Sequence, residues 1–183
     1  MKKSVFITGA ATGIGRATAL NFARRGYFVG GYDLDEAGLK VLEADIAAVG
    51  GTGTVGHLDV TDVEEMSTRL AEFVAAAGDR LDVMINNAGL LTAGAFEEIP
   101  LATHHRDIDV NVKGVVNGLH LAFPFLKSTP GSTVINLASA SAIYGQAELA
   151  NYSATKGAIH AMAKSMAQEL ARKQVRVNVV APG

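Results

Sequence analysis

The chain has 183 residues, of which 49% are hydrophobic, and its formal net charge is −2 from 16 basic and 18 acidic side chains. This composition predicts one globular domain over residues 1–183 and offers no basic surface for nucleic acid. The sequence contains no cysteine, which excludes disulfides and thiolate chemistry, and its five histidines have no metal-ligand spacing. No segment approaches the ~20 apolar residues of a membrane span or forms a signal peptide. We therefore expect a soluble cytoplasmic protein that binds small molecules, without nucleic acid, membrane or metal partners.

Short apolar segments alternate with longer segments of helical periodicity along the chain. The pattern predicts strands at residues 5–8, 27–32, 54–58, 81–85, 133–137 and 175–180. It predicts helices at residues 14–25, 36–49, 63–77, 101–126 and 152–173. Regular alternation favours right-handed crossovers, and continuously apolar strands indicate burial on both faces. The predicted fold class is α/β, a three-layer doubly wound parallel sheet.

A glycine-rich turn follows the first predicted strand and leads directly into a helix. Gly9, Gly13 and Gly15 are its glycines, with Thr12 and Ile14 between them. Such a turn lets backbone amides approach a pyrophosphate at the positive end of the helix. The spacing differs from the Gly-x-Gly-x-x-Gly template, because three residues separate the first two glycines. The alternative is that these glycines serve only a tight turn.

An acidic residue, Asp33, ends the second predicted strand about 20 residues beyond the glycine turn, and Leu34 follows it. A carboxylate at this place can hydrogen-bond the adenosine ribose hydroxyls of a dinucleotide, and it would repel a 2′-phosphate. The residue therefore favours NAD as the cofactor over NADP. Asp33 could instead be an ordinary loop or capping residue.

Two more turns with polar residues follow the third and fourth predicted strands. Asp59 and Val60 end the third strand, and the tetrad Asn-Asn-Ala-Gly at residues 86–89 ends the fourth. Ligands of doubly wound sheets bind at the carboxyl ends of the strands. Asp59, Val60, Asn87, Ala88 and Gly89 are therefore candidate cofactor contacts, although each segment could be a simple turn.

Tyr152 and Lys156 are four residues apart in a predicted helix, so their side chains lie on one helix face. A free tyrosine ionises near pH ~10, and shifting this pKa to ~7 takes about 4 kcal/mol. One ammonium a few ångström from the phenolate supplies roughly 3 to 4 kcal/mol at an effective dielectric of ~20. The pair is therefore a candidate proton-transfer site, although this spacing is also common by chance.

These segments together resemble the short-chain dehydrogenase/reductase family over the whole chain. Residues 8–15 match its Thr-Gly-x-x-x-Gly-x-Gly cofactor loop, residues 86–89 its Asn-Asn-Ala-Gly motif, and residues 152–156 its Tyr-x-x-x-Lys pair. The resemblance implies hydride transfer between NAD(H) and an alcohol or carbonyl carbon. It also implies that Asp33 selects NAD and that Asp59 and Val60 line the adenine.

The resemblance assigns a catalytic tetrad of Asn111, Ser139, Tyr152 and Lys156. Ser139 lies thirteen residues before Tyr152, at the family spacing, and is preferred over the nearby Ser141. Tyr152 is expected to be the acid or base, Lys156 to hold the nicotinamide ribose, and Asn111 to hold a water that connects Lys156 to solvent. Pro182 and Gly183 match the family's Pro-Gly turn at the cofactor.

Family members usually continue beyond this turn, so the resemblance implies that the C-terminal part, including a substrate-covering segment, is missing. Residues 90–96 and 143–149 would form the remaining substrate walls, and their mostly apolar character favours an apolar or modestly polar alcohol. The family pairs helices equivalent to 101–126 and 152–173 across a two-fold axis, which implies a homodimer or homotetramer. Three rival interpretations are an NADPH-dependent ketoacyl-type reductase, a non-catalytic NAD-binding regulator and a structural domain.

Overall fold

The fold is built on one six-stranded sheet in which every neighbouring pair of strands is parallel. The computed structural model describes residues 2–183. The strands are β1 (Ser4–Thr8), β2 (Phe28–Asp33), β3 (Thr52–His57), β4 (Val83–Asn86), β5 (Thr133–Leu137) and β6 (Arg176–Val180). Their order across the sheet is β3-β2-β1-β4-β5-β6. The predicted doubly wound α/β class is therefore confirmed.

Within residues 2–183, seven α-helices connect and cover the strands. They are α1 (Gly13–Arg24), α2 (Glu36–Ala48), α3 (Val63–Ala76), α4 (Leu101–Ile108), α5 (Gly114–Ser128), α6 (Ser141–Tyr144) and α7 (Ala150–Ala171). No helix in the described part of the chain is long and apolar enough to cross a membrane.

The central strand β1 is buried on both sides, which explains its uninterrupted apolar sequence. Val5 and Ile7 point into the core under α1 and α2, whereas Phe6 points into the core under α3, α5 and α7. Phe6 stacks on Tyr32 with ring centroids 4.3 Å apart and meets Phe73 edge-on at 5.4 Å. These contacts fix the centre of the sheet, from which the functional loops extend.

The start of α3 follows the sequence closely. The side chain of Asp62 accepts a hydrogen bond of 2.9 Å from the backbone N–H of Glu65, and Glu64 and Glu65 occupy the first turn. Acidic groups at this end of a helix are stabilised by its dipole. Asp62 is therefore the N-cap of α3.

The predicted single helix at 101–126 is wrong in its interior. A π-helical turn, Asp109–Lys113, separates α4 from α5, and α5 continues to Ser128. The predicted elements also omitted the four-residue α6, which is too short to produce a recognisable helical periodicity. Both differences fall beside the candidate site, and π-turns are often found at functional sites.

Candidate active site

A continuous cleft runs along the carboxyl edge of the sheet, above the point where the strand order reverses between β1 and β4. It has two adjoining parts of about 360 and 380 Å³, which share Ile14, Asn87, Gly89 and Leu90. We call them the Asp33 half and the Tyr152 half after one residue in each. This is the position at which doubly wound sheets bind their ligands.

The cleft brings together nearly all the predicted site residues. The Asp33 half is lined by Gly9, Thr12, Gly13, Ile14, Asp33, Leu34, Asp59, Val60, Asn87, Ala88 and Gly89. The Tyr152 half is lined by Ser139, Tyr152, Lys156, Pro182 and Gly183. Gly15 and Asn111 are buried and line neither half, so they act on the cleft through their neighbours.

The glycines of the first loop permit a close backbone approach that a side chain would prevent. A Cβ atom on Gly15 would lie 1.9 Å from the carbonyl oxygen of Gly9, and a Cβ on Gly9 would lie 2.7 Å from Cα of Ala88. Gly9 also has a φ of 66°, a conformation that favours glycine. The turn therefore needs glycine for packing as well as for conformation.

The loop after β4 holds the glycine turn in place. The amide of Asn87 donates hydrogen bonds to the carbonyl oxygens of Thr8 and Gly9, at 2.9 and 2.8 Å. In return, the Thr8 hydroxyl accepts from the backbone N–H groups of Asn87 and Ala88, both at 3.1 Å. Both amide hydrogens of Asn87 are thus bonded to the glycine turn, and Asn87 lines both halves of the cleft.

The start of α1 offers unsatisfied backbone donors to the cleft. The N-cap residue Thr12 makes no side-chain cap hydrogen bond, and the first turn has no acidic residue. A helix start of this kind, entered through a glycine turn, has the donors and the dipole to bind an anion. A Cβ at Gly13 would meet nothing within 4 Å, so the approach is open. These features fit a dinucleotide pyrophosphate.

Asp33 presents a half-buried carboxylate at the other end of its half of the cleft. Its Oδ2 accepts a hydrogen bond of 2.9 Å from the N–H of Ala11, and its Oδ1 accepts one of 3.1 Å from the N–H of Asp35. These bonds fix the side chain, and each oxygen retains a further lone pair for a ligand hydroxyl. Arg16 is paired with Asp45 on α2 and therefore does not offset the Asp33 charge.

Lys156 and Tyr152 line the same half of the cleft. The Lys156 ammonium lies 5.8 Å from the centroid of the Tyr152 ring and donates a hydrogen bond of 2.8 Å to the carbonyl oxygen of Leu137. It has no carboxylate partner within the described chain, and burial lowers the pKa of Lys156 to about 8. An ammonium has three donors, so two remain for a ligand.

Asn111 lies in the π-turn and is fully buried. Its Oδ1 accepts a hydrogen bond of 2.7 Å from the N–H of Leu90. Its Nδ2 donates two hydrogen bonds, one of 2.9 Å to the Leu90 carbonyl and one of 3.1 Å to the Thr155 hydroxyl. The amide hydrogens are thus both used within the protein. Asn111 holds the loop after β4 against α7, so its side-chain donors are not available for the expected water.

Ser139 lies in the turn between β5 and α6 and lines the same half of the cleft as Tyr152. Its hydroxyl oxygen accepts a hydrogen bond from the Ser141 hydroxyl at 2.9 Å and a longer one from the Ser141 N–H at 3.3 Å. Both serines line the Tyr152 half. The sequence-based preference for Ser139 over Ser141 as the catalytic serine therefore concerns two residues that are hydrogen-bonded to each other.

The profile of the family described as short chain dehydrogenase matches residues 3–183. The chain belongs to this family. It is accordingly an oxidoreductase of the short-chain dehydrogenase/reductase type, which confirms the resemblance drawn from the sequence.

Individual members of the family show how far the likeness extends. The chain is 35% identical to 3-oxoacyl-(acyl-carrier-protein) reductase FabG of Thermotoga maritima over 181 residues, 99% of this chain and 73% of the relative. It is 36% identical to 2,5-dichloro-2,5-cyclohexadiene-1,4-diol dehydrogenase LinX of Sphingobium indicum, covering 99% of this chain and 72% of that protein. The crystal structure of 3-ketoacyl-(acyl-carrier-protein) reductase from Brucella melitensis complexed with NADH superposes with a TM-score of 0.92 at 28% identity, covering 98% and 75% of the two chains.

Three residues that shape the site were not among the predicted site residues. Thr8 anchors the loop after β4, Thr155 connects Asn111 to the Tyr152 carbonyl at 2.8 Å, and Leu137 supplies the backbone acceptor for Lys156. Thr155 could have been found from its position, because it precedes Lys156 and follows Tyr152 by three residues. The Leu137 contact involves only a backbone carbonyl and leaves no signal in the residue type.

Proposed function

We propose that this chain transfers a hydride between NAD(H) and a neutral secondary alcohol or its ketone. The observation that supports this most strongly is the convergence of Ser139, Tyr152 and Lys156 on one cleft that continues into the glycine turn. When bound, the nicotinamide supplies or accepts the hydride. The protein supplies proton transfer, orientation and the electrostatic environment.

Tyr152 is the proposed proton carrier, taking the alcohol proton in oxidation and returning it in reduction. Lys156 has a pKa of about 8, so it is mostly protonated at neutral pH, and its ammonium stabilises negative charge on the tyrosine oxygen. Its two unused donors are available to the ribose hydroxyls of the cofactor. Ser139 donates to the substrate oxygen, where charge changes during the reaction.

Asp33 supports NAD rather than NADP as the cofactor. Its carboxylate is fixed in the cleft, and a 2′-phosphate placed against it would experience like-charge repulsion. Arg16 is held by Asp45, and the exposed residue after Asp33 is Leu34, which has no positive charge to offset this repulsion. The FabG relative favours the alternative of a ketoacyl-type reductase, and the Asp33 carboxylate argues against its NADPH-dependent form.

The walls of the Tyr152 half support a neutral substrate. Leu90, Leu91, Tyr144 and Leu149 contribute apolar surface, and among the described residues that line this half Lys156 alone is charged at neutral pH. Because the Lys156 donors are assigned to the cofactor ribose, a carboxylate or phosphate on the substrate would find no further cationic partner among these residues. A cyclic or aliphatic secondary alcohol fits this surface best.

A spectrophotometric assay tests the proposal. The protein is incubated with NAD and separately with NADP, each with a panel of neutral secondary alcohols and matched hydroxy acids. We expect absorbance at the NADH band to rise with NAD and the neutral alcohols. Faster turnover with NADP, or a clear preference for the acids, would contradict the proposed cofactor or substrate class.

Pairing of two copies through the helices at 101–126 and 152–173 remains part of the proposal. Within these helices Gly114 and Gly118 pack against the interior of the same chain, because a Cβ on Gly114 would lie 2.6 Å from Val60 and a Cβ on Gly118 would lie 2.2 Å from Asn86. By contrast, Ala158 and Ala161 on α7 are exposed and permit close approach of a second helix. Light scattering should report a dimer or tetramer, and a monomer would reject this element.

A further inference from the structure

Ser141 is a buried polar residue in the cleft to which the proposed mechanism gives no role. Its side chain is 5% exposed and lies at the start of α6, two residues after Ser139. Its hydroxyl donates a hydrogen bond of 2.9 Å to the Ser139 hydroxyl oxygen, and its backbone N–H donates one of 3.3 Å to the same atom. Both bonds run from Ser141 to Ser139.

This arrangement determines what the Ser139 hydroxyl can do. A serine hydroxyl has one hydrogen to donate and two lone pairs to accept with. Ser141 occupies both accepting positions, so the Ser139 hydrogen is the part that remains for a substrate. We propose that Ser141 is a positioning residue that fixes Ser139 as a hydrogen-bond donor to the substrate oxygen. This inference rests on the proposed function of the same cleft.

A fixed donor matters because negative charge develops on the substrate oxygen in either direction of the reaction. A Ser139 with a free lone pair could accept a hydrogen bond from the alcohol substrate or from water, and would then point no hydrogen at the reacting oxygen. Donors oriented before the reaction stabilise such charge without reorganisation. Ser141 therefore acts on the rate through Ser139.

The backbone of this turn is held independently of the Ser141 side chain. The N–H of Ala140 donates a hydrogen bond of 2.8 Å to the carbonyl of Pro182, and the N–H of Ala142 donates one of 3.1 Å to the carbonyl of Ser139. Removing the Ser141 hydroxyl should therefore leave the path of the chain unchanged. This makes a substitution at Ser141 informative about chemistry.

The experiment is a double-mutant cycle on Ser139 and Ser141. Ser141→Ala removes one neutral hydrogen bond, so kcat with the best alcohol of the panel should fall about three- to tenfold, while the Kd for NADH stays unchanged. Ser139→Ala should reduce kcat more strongly, and adding Ser141→Ala to it should cause no further loss. Ser141→Thr keeps the hydroxyl and should recover part of the rate.

Ser132→Ala is the matched control. Ser132 is fully buried, and its hydroxyl donates a hydrogen bond of 2.7 Å to the Leu126 carbonyl. It lies just before β5, at the edge of the sheet opposite the cleft. This variant should lower stability and leave kcat unchanged. A loss of rate in Ser132→Ala as large as in Ser141→Ala would show that any buried hydroxyl has this effect and would overturn the inference.

Other outcomes separate this inference from the proposed function. An unchanged kcat in Ser141→Ala, or an equal further loss in the Ser139→Ala background, overturns the role of Ser141 while leaving the hydride transfer intact. Binding of cyclohexanone to the NADH-loaded protein, followed by NADH fluorescence, provides a readout independent of turnover and should weaken in Ser141→Ala. If the unmodified protein shows neither turnover nor ketone binding, the proposed function and this inference both fail.

Discussion

Replacing Lys156 with methionine tests the electrostatic basis of the site. Lys156 is 5% exposed, and burial lowers its pKa from the ordinary value of 10.5 to about 8. Each pH unit between the two values is worth about 1.4 kcal/mol, so holding the ammonium in the fold costs about 3 kcal/mol. Methionine has a similar length and no charge, so it avoids this cost.

The cost depends on pH in a defined direction. Below pH 8 the lysine is protonated in both the folded and unfolded states, and the full penalty applies. Between pH 8 and 10.5 the folded protein loses the proton first, so the unfolded state binds more protons and the stability rises with pH. The free energy of unfolding should therefore increase by about 3 kcal/mol relative to Lys156→Met as the pH rises from 7 to 10.5.

Urea unfolding of both cofactor-free proteins across this pH range measures the difference. Any cost of leaving the Leu137 carbonyl without its donor is independent of pH in the variant and cancels from the slope. Parallel stability curves for the two proteins would refute the reasoning, since they would mean that the ammonium is solvated or paired in the fold.

Two further substitutions probe the cofactor half of the cleft. Asp33→Ser removes the carboxylate, so the ratio of the Kd values for NADP and NAD should fall at least tenfold; calorimetry with both cofactors that finds an unchanged ratio would contradict the role of Asp33. Gly15→Ala places a Cβ 1.9 Å from the Gly9 carbonyl oxygen, so it should destabilise the fold by about 1–3 kcal/mol and weaken NADH binding. Gly157→Ala is its control, because the nearest atom to a Cβ there lies 3.9 Å away, and wild-type behaviour of both glycine variants would count against the packing argument.

Much of the framework could be predicted because its physical causes are local. The buried run in β1 and the cap at Asp62 each have a direct signature in the residue order. The glycine turn could be located because glycine is required where Gly9 and Gly15 approach the backbone. Strand and helix ends differed by one or two residues in most cases, for example β2 at Phe28–Asp33 against the predicted 27–32.

The features that escaped prediction depend on tertiary contacts. The π-turn carries Asn111, whose amide bonds to Leu90 and Thr155 come from other elements, so helical periodicity alone did not reveal it. The Ser141 bond to Ser139 was likewise invisible, because spacing to Tyr152 ranked the two serines as alternatives although they form one unit. Predicting a residue's place in the cleft was therefore easier than predicting its partners.

Tyr152→Phe tests the central claim most directly, because it removes one hydroxyl from the cleft and keeps the ring beside Lys156. The assay measures kcat with NAD and the best neutral alcohol, together with the Kd for NADH by fluorescence. We expect kcat to fall at least a hundredfold, in line with the loss of a general acid–base group, while NADH binding remains within about twofold. Turnover that survives this substitution unchanged would contradict the assignment of Tyr152 as the proton carrier.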